Sequence, residues 1–418
     1  MDNAVLVAQR EDQIASEEHE IALFTPASDA HDPEFSIVVP ALNEEITIGK
    51  FVDWCKEGIA RAGVAAEVLI VDSSTDRTAE IALAHGARVL KVPRRGLGRA
   101  YIDAIAHARG RFIIMGDADC TYDFRRLDDF VERFRAGYEF IMGSRFAGSI
   151  EEGAMPALHR YFGTPLTTMI LNFVYRTDYS DIQCGMRGLT KDAWQRLRLT
   201  AQGWEYAPEM IVKARQIGLR TVEVPIHFFK DQEGRLSHLK RAGWITPWRA
   251  GWQTLKIILT YGAERVIQPI SLFLSILGLA GLVALSSGPV RVFGVTLTLL
   301  TMLLASTFLI IGLVLAGISI LSICINDRTG DDIGRWSKTF QFTRSMTISL
   351  LLFAAGFGIC AAFAAKFIAS DFVFGDDAAW IGHLSVIGLT MIIISILMAG
   401  FTILLQALVD RMRVLDNQ

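Results

Sequence analysis

The run RFIIMGDADCTYDF, residues 111–124, passes from apolar and β-branched side chains into three carboxylates, Asp117, Asp119 and Asp123. The apolar part predicts a buried strand, with Asp117 and Asp119 standing at its end, two residues apart. Like charges that close repel, and burial strips their hydration, so something must compensate them. One solution is a hard divalent cation, since Mg²⁺ is commonly held by one or two carboxylates and completed by substrate phosphates. The other is a loop open enough to keep both acids solvated. Asp123 precedes a helical stretch starting near 125 and reads as its N-cap.

The elements that must position these acids can be read on either side. Strand candidates at 35–40, 67–72, 87–92, 111–116 and 138–143 are separated by helical stretches near 46–61, 77–85, 99–109 and 125–136. This alternation predicts a Rossmann-like α/β domain with a mostly parallel sheet. In such sheets ligands bind outside the carboxyl ends of the strands. Asp72 and the Asp117/Asp119 pair then share one rim, joined by the Asn43-Glu44-Glu45 turn. Residues 146–235 are more mixed, with helical stretches near 156–175 and 205–217 and a strand at 221–228.

The apolar weight lies further on. The mean hydropathy is +0.35, and four segments nearly empty of charge, 266–290, 292–326, 345–365 and 378–409, follow one another. Each can hold the roughly 20 apolar residues that cross a bilayer. Arg328, Arg335, Lys338 and Arg344 between spans two and three, and Arg411 and Arg413 after span four, place those loops and both termini on the cytoplasmic side. From Lys213 to Arg265 there are ten Lys or Arg against four acids, and Trp244, Trp248 and Trp252 fall on one helical face. Such a connector reads as a helix lying in the headgroup layer, or else as a core tryptophan cluster. Residues 1–34, with nine acids and one Arg, read as a disordered acidic tail and not as a signal peptide. The five scattered cysteines give neither a disulfide frame nor a zinc site. A net charge of −3 says little about partners, and nothing points to nucleic acid.

Several motifs occur in a telling order: SIVVPALNEE, VDSSTDRT, GLGRA, DADCTYDF, GSRF, DIQCGMRG, WEYAPEM and EVPIHFFKDQEGRLSHL. In that order the chain resembles a family 2 glycosyltransferase of the GT-A fold, in the branch of dolichyl-phosphate mannose or glucose synthases and bacterial polyprenyl-phosphate glycosyltransferases. The resemblance covers residues 36–240. It implies a GT-A domain at 35–235, and the basic connector and apolar segments add interfacial helices at 236–265, a transmembrane domain at 266–410 with spans near 267–288, 298–323, 345–367 and 384–408, and a tail at 411–418. It also implies that Pro40, Ala41, Asn43, Glu44, Asp72 and Ala118 hold the donor nucleotide with Asp117 and Asp119, which bind Mg²⁺ or Mn²⁺. Arg145, Arg160, Lys230 and Arg235 would hold the acceptor phosphate. The chain departs from the family at three points. VDSSTDRT is one residue short, Thr121 stands where relatives carry Gln, and Lys230 stands where they carry Arg.

The function implied is inverting transfer of one hexose from a nucleotide sugar, UDP-glucose ahead of GDP-mannose, to polyprenyl phosphate at the cytoplasmic membrane face. A processive polysaccharide synthase would share the core, but no QxxRW motif is present. A transporter or scaffold with a nucleotide-sensing domain is disfavoured by spans with almost no ionisable residues. Glycine and alanine in the third span (Ala354, Ala355, Gly356, Gly358) offer a close helix contact, and a homo-oligomer is left open.

Overall fold

The computed structural model describes residues 21–232, 234–235, 246–327, 330–370 and 379–416. The chain divides into two compact units, Met1–Thr260 and Tyr261–Gln418.

In the first unit eight strands form one sheet: β1 (Ala22–Phe24), β2 (Phe35–Ala41), β3 (Ala66–Asp72), β4 (Arg88–Lys91), β5 (Phe112–Met115), β6 (Phe140–Ile150), β7 (Arg187–Thr190) and β8 (Thr221–Phe228). Their spatial order is β1-β4-β3-β2-β5-β7-β6-β8. The pairs β2/β3, β3/β4, β2/β5 and β6/β8 are parallel. β1 and β7 run antiparallel to their neighbours. The order reverses direction at β2, which has β3 on one side and β5 on the other, so the crevice at their carboxyl ends is the switch point where such sheets bind ligands.

β2 reads FSIVVPA because both its faces are buried. Ile37, Val38 and Val39 are fully covered, as central parallel strands require. The helix Ile48–Ala62 covers one face of the sheet with Ile48, Phe51, Val52 and Cys55. Its Gly58 lies so near the chain that a Cβ there would sit 2.1 Å from the Phe124 carbonyl oxygen. The helix is thereby fixed against the segment that follows the aspartate pair.

Two elements differ from expectation. β1 lies inside the supposed tail and pairs Ala22 with Lys91 and Phe24 with Val89. Order therefore begins before residue 35, while residues 1–20 fall outside the described residues. β7, the short RGLT segment, enters antiparallel between β5 and β6. Among the basic connector's tryptophans, Trp244 and the side chain of Trp248 fall outside the described residues, and Trp252 is exposed. Within the first unit, Ile258 O accepts from the Tyr175 hydroxyl (3.0 Å) and Gln183 Nε2 donates to Thr254 Oγ1 (3.0 Å).

Among the described residues, four helices are long and apolar enough to cross a membrane: Gly251–Ala284 (its start still in the first unit), Leu299–Asn326, Phe342–Ala369 and Trp380–Met412. Gly262, the second residue of the second unit, carries non-helical torsions (φ −129, ψ 21). Glycines set the packing: a Cβ at Gly278 would lie 2.3 Å from Leu309 N, and one at Gly356 would lie 2.6 Å from Gly388 O. Gly356 thus makes the close approach expected of the third span, with the fourth as its partner, while Gly358 faces open space. Between the first two spans, Val290–Val292 and Val295–Leu297 form a hairpin turning at Phe293 and Gly294, both at positive φ.

At the amino ends of the strands, Glu67 of β3 gathers a buried charge network. Its carboxylate accepts from Ser36 Oγ (2.6 Å), Arg88 Nη1 (2.6 Å), Arg109 N (2.6 Å) and Arg109 Nε (2.8 Å). Burial pushes its pKa up, but these donors together hold it below its ordinary value of 4.5. A depressed carboxyl stabilises the fold above its unfolded pKa, and that stability is lost as pH falls through the folded value. Glu67→Gln should destabilise the protein by about 3–5 kcal/mol near pH 7, by leaving Arg88 and Arg109 without their shared anion. The gap between variant and wild type should close as pH falls below 4.5. Denaturant midpoints of the detergent-solubilised protein across pH check both.

Candidate active site

The site is built on the loops that leave β2, β3 and β5. After β2 the chain turns at Asn43, whose φ of 57 is one that Asn tolerates better than most residues. Asn43 N donates to Ser74 Oγ (2.7 Å), and Asn43 Oδ1 accepts from Thr75 N (3.0 Å). Glu44 N donates to Thr78 Oγ1 (2.9 Å). These bonds lock the turn after β2 to the one after β3, so the expected donor residues Pro40, Ala41, Asn43 and Glu44 and the end of β3 form one surface. Asp72 at that end is fully buried and already neutralised: Lys91 Nζ is 2.5 Å from Oδ2, and Ser74 N donates to Oδ1 (3.1 Å).

After β5, Tyr101 donates its hydroxyl to Gly116 O (2.9 Å), fixing the strand end below Asp117. The loop from 184 to 186 closes on the same carboxylate. A Cβ at Gly185 would sit 2.7 Å from Asp117 Oδ2, and Gly185 N donates to the Tyr122 hydroxyl (2.8 Å). Cys120 takes positive φ (58), which folds the next residues back. Thr121 then donates from both N (3.0 Å) and Oγ1 (2.6 Å) to Asp119 Oδ1. Thr121 thus orients the second aspartate, and the family's Gln has no direct equivalent here. Asp119 Oδ2 faces Arg235 Nη1 at 3.3 Å. Burial raises the Asp119 pKa above its ordinary value, partly offset by Arg235 and Thr121.

The described residues contain no cluster of three metal-ligating side chains. Two carboxylates, one already drawing a cation, fit a divalent ion whose shell is completed by phosphate and water, and do not fit a closed protein cage. Asp123 takes no part in the pair and is not a helix cap. The helix starts at Asp128 after Leu127, and Asp123 instead accepts from Arg125 N (3.2 Å), Nε (2.7 Å) and Nη2 (3.1 Å). Its burial beside that arginine, one turn early, is what the sequence pattern concealed.

The four expected phosphate-binding cations divide into two kinds. Arg145 is 9% exposed and clasps Asp181 through Nε (2.6 Å) and Nη2 (2.9 Å), while its N donates to the same carboxylate (3.1 Å). Burial alone would lower the Arg145 pKa, but Asp181 more than reverses that and holds the guanidinium charged. Arg235 is likewise enclosed, with Glu44 on Nε and Nη2 at 2.7 Å each. Arg160, in the single wide turn His159–Gly163, and Lys230, whose N donates to Glu151 Oε2 (2.8 Å), have no carboxylate paired to their charged groups among the described residues. Glu209 is structural: it is fully buried against Lys213 at 2.5 Å.

Sequence reasoning overlooked Lys91, although a lysine between Leu90 and Val92 in the strand run ARVLKV was the available signal. It also missed the depth of Arg187, a fully buried arginine donating to the carbonyls of Ile182 (2.9 Å), Cys184 (2.9 Å) and Ala207 (2.6 Å). Asp181→Asn should cost about 3–5 kcal/mol by leaving Arg145 buried without an anion, and the pair Arg145→Met with Asp181→Leu should recover most of it. Denaturant unfolding of the wild type and both variants in detergent tests this.

Residues 36–198 match glycosyl transferase family 2. The low-salt glycan biosynthesis hexosyltransferase Agl6 of Haloferax volcanii is 37% identical over 257 residues, covering 61% of this chain and 60% of Agl6. The chain thus spans about three fifths of that relative's length. A dolichyl-phosphate hexose transferase of Haloferax volcanii is 28% identical over 198 residues, covering 47% of this chain and 82% of that protein. Among solved structures, glucosyl-3-phosphoglycerate synthase from Mycobacterium tuberculosis, in complex with Mg²⁺ and uridine-diphosphate, aligns with a TM-score of 0.40 at 19% identity, over 55% of this chain and 79% of that one. The sequence match covers β2 to β7 and so every loop that builds the rim, and by it the chain belongs to glycosyl transferase family 2.

Proposed function

We propose that the chain transfers one hexose from a nucleotide sugar, UDP-glucose or GDP-mannose, to a polyprenyl phosphate, with inversion and dependence on a divalent cation. The observation that carries this reading is the Asp117/Asp119 pair at the switch point of a family 2 sheet, in a chain with four membrane-length helices among its described residues. The relatives' names, a hexosyltransferase and a dolichyl-phosphate hexose transferase, support the hexose and the lipid phosphate.

In this reading Pro40, Ala41, Asn43, Glu44, Asp72 and Ala118 line the nucleotide, and Asp117 and Asp119 hold Mg²⁺ or Mn²⁺. The bound cation supplies charge neutralisation for the departing nucleoside diphosphate. A polyprenyl phosphate is mostly dianionic near neutral pH, given a second pKa of about 6. It attacks directly and needs positioning more than a general base. Arg160 and Lys230, with no carboxylate on their charged groups among the described residues, are suited to hold it. Arg145 supports the acceptor side from its pairing with Asp181. The positive loop at Arg335, Lys338 and Arg344 favours placing the catalytic unit and both termini in the cytoplasm.

The test is the purified protein incubated with undecaprenyl or dolichyl phosphate and a panel of nucleotide sugars, with and without EDTA. An EDTA-sensitive lipid-linked hexose is expected. Asp117→Ala and Asp119→Ala should each lower transfer by at least about a hundredfold with unchanged unfolding midpoints. Undiminished transfer in a folded double variant would sink the assignment of the pair.

A further inference from the structure

We propose that Arg235 is a positioning residue that serves as an internal counter-cation, standing against Asp119 and Glu44 where the divalent ion's charge belongs, and yielding only when the ion arrives with a diphosphate. The proposal rests on the metal reading of Asp117 and Asp119 given above.

All three nitrogens of the Arg235 fork are engaged by carboxylates. Nε and Nη2 meet the two oxygens of Glu44 at 2.7 Å each, and Nη1 meets Asp231 Oδ1 at 2.9 Å and Asp119 Oδ2 at 3.3 Å. Its side chain is 5% exposed, so this is an enclosed pairing and not a surface one. The segment carrying it is fastened across the aspartate loop. Tyr122 bridges Phe228, and Phe229 N donates to Thr121 O (2.8 Å). Arg235 therefore ties the turn after β2, through Glu44, to the loop after β5, through Asp119.

A bare divalent cation approaching Asp119 meets this guanidinium within a few ångströms, and like charges at that separation repel strongly in a poorly solvated site. A cation already bound to a diphosphate brings compensating negative charge, and the freed guanidinium gains phosphate oxygens suited to its planar fork. The arrangement therefore imposes an order: the cation is bound weakly alone and well with the nucleotide. It also explains how three acids from separate segments (Glu44, Asp119 and Asp231) coexist before any substrate is present.

The experiment measures Mn²⁺ binding to the full chain in detergent, by the loss of the free Mn²⁺ electron paramagnetic resonance signal, with and without UDP or GDP. Arg235→Gln should bind Mn²⁺ alone at least tenfold more tightly than wild type, and Arg235→Lys, which keeps the charge but loses the fork, should fall between them. Adding Asp119→Asn to Arg235→Gln should remove the gain. A residue that merely pinned the segment would, when lost, leave Mn²⁺ affinity unchanged or weaker, and that result in both variants would overturn the counter-cation role. Should Arg235→Gln fail to fold, Arg235→Lys alone decides between these outcomes. If Mn²⁺ binding in the presence of UDP or GDP is indifferent to Asp119→Asn, the metal pair itself is wrong and the proposal falls with it. Equal affinities in wild type and Arg235→Gln, both abolished by Asp119→Asn, would reject the counter-cation alone.

Discussion

The rim of the sheet is governed by one electrostatic constraint: four carboxylates, Glu44, Asp72, Asp117 and Asp119, converge where β2, β3 and β5 end. Each must be compensated, because a buried anion without a partner costs several kcal/mol. The compensation differs from acid to acid. Asp72 is satisfied for good by a lysine on the neighbouring strand and a backbone N–H. Asp119 is held by one hydroxyl and one N–H on one oxygen and faces Arg235 Nη1 with the other. Asp72 thus has its charge paired from within the sheet, whereas Asp119 draws its counter-charge from a segment distant in sequence.

The same contrast separates two buried arginines, Arg145 and Arg187. Arg145 spends its fork on Asp181, whereas Arg187 is solvated by carbonyl dipoles from three separate positions. Arg187 thereby stitches the 182–184 turn to the helix Tyr206–Gln216 without needing an anion. Pairings such as that of Arg145 are specific more than they are stabilising, since an apolar set of similar volume would often serve the fold as well.

Much of this was legible in the residues. The strand candidates at 35–40, 67–72 and 221–228 are near-continuous apolar or alternating runs, and each is a strand in the structure. The Asp117/Asp119 pair was visible because carboxylates following an apolar run violate the expected pattern. The four long helices were visible because their length and lack of charge admit few other readings. What escaped notice depended on tertiary partners. RGLT has no strand signature of its own and becomes β7 only because β5 and β6 offer it two edges. Ala22–Phe24 is too short to stand out in an acidic stretch. Asp123 had the right residue type for a cap, but Arg125 lies closer than the helix does. The pairing state of the arginines is likewise invisible in a motif, which shows that a cation is present but not what already holds it.

The insertion of β7 bears on how the molecule is made. β5, which carries the aspartate pair, is an inner strand of the finished sheet, yet the segment that covers its second edge comes after both β6 and the helix Thr164–Tyr175. As the chain leaves the ribosome, the half-sheet β4-β3-β2-β5 can assemble with an open apolar edge of sequence FIIM. An unpaired edge of that kind is a template for pairing with other chains. The rim is thus finished late in synthesis, and until β7 seats itself the strand that carries the aspartate pair presents an open edge to other chains.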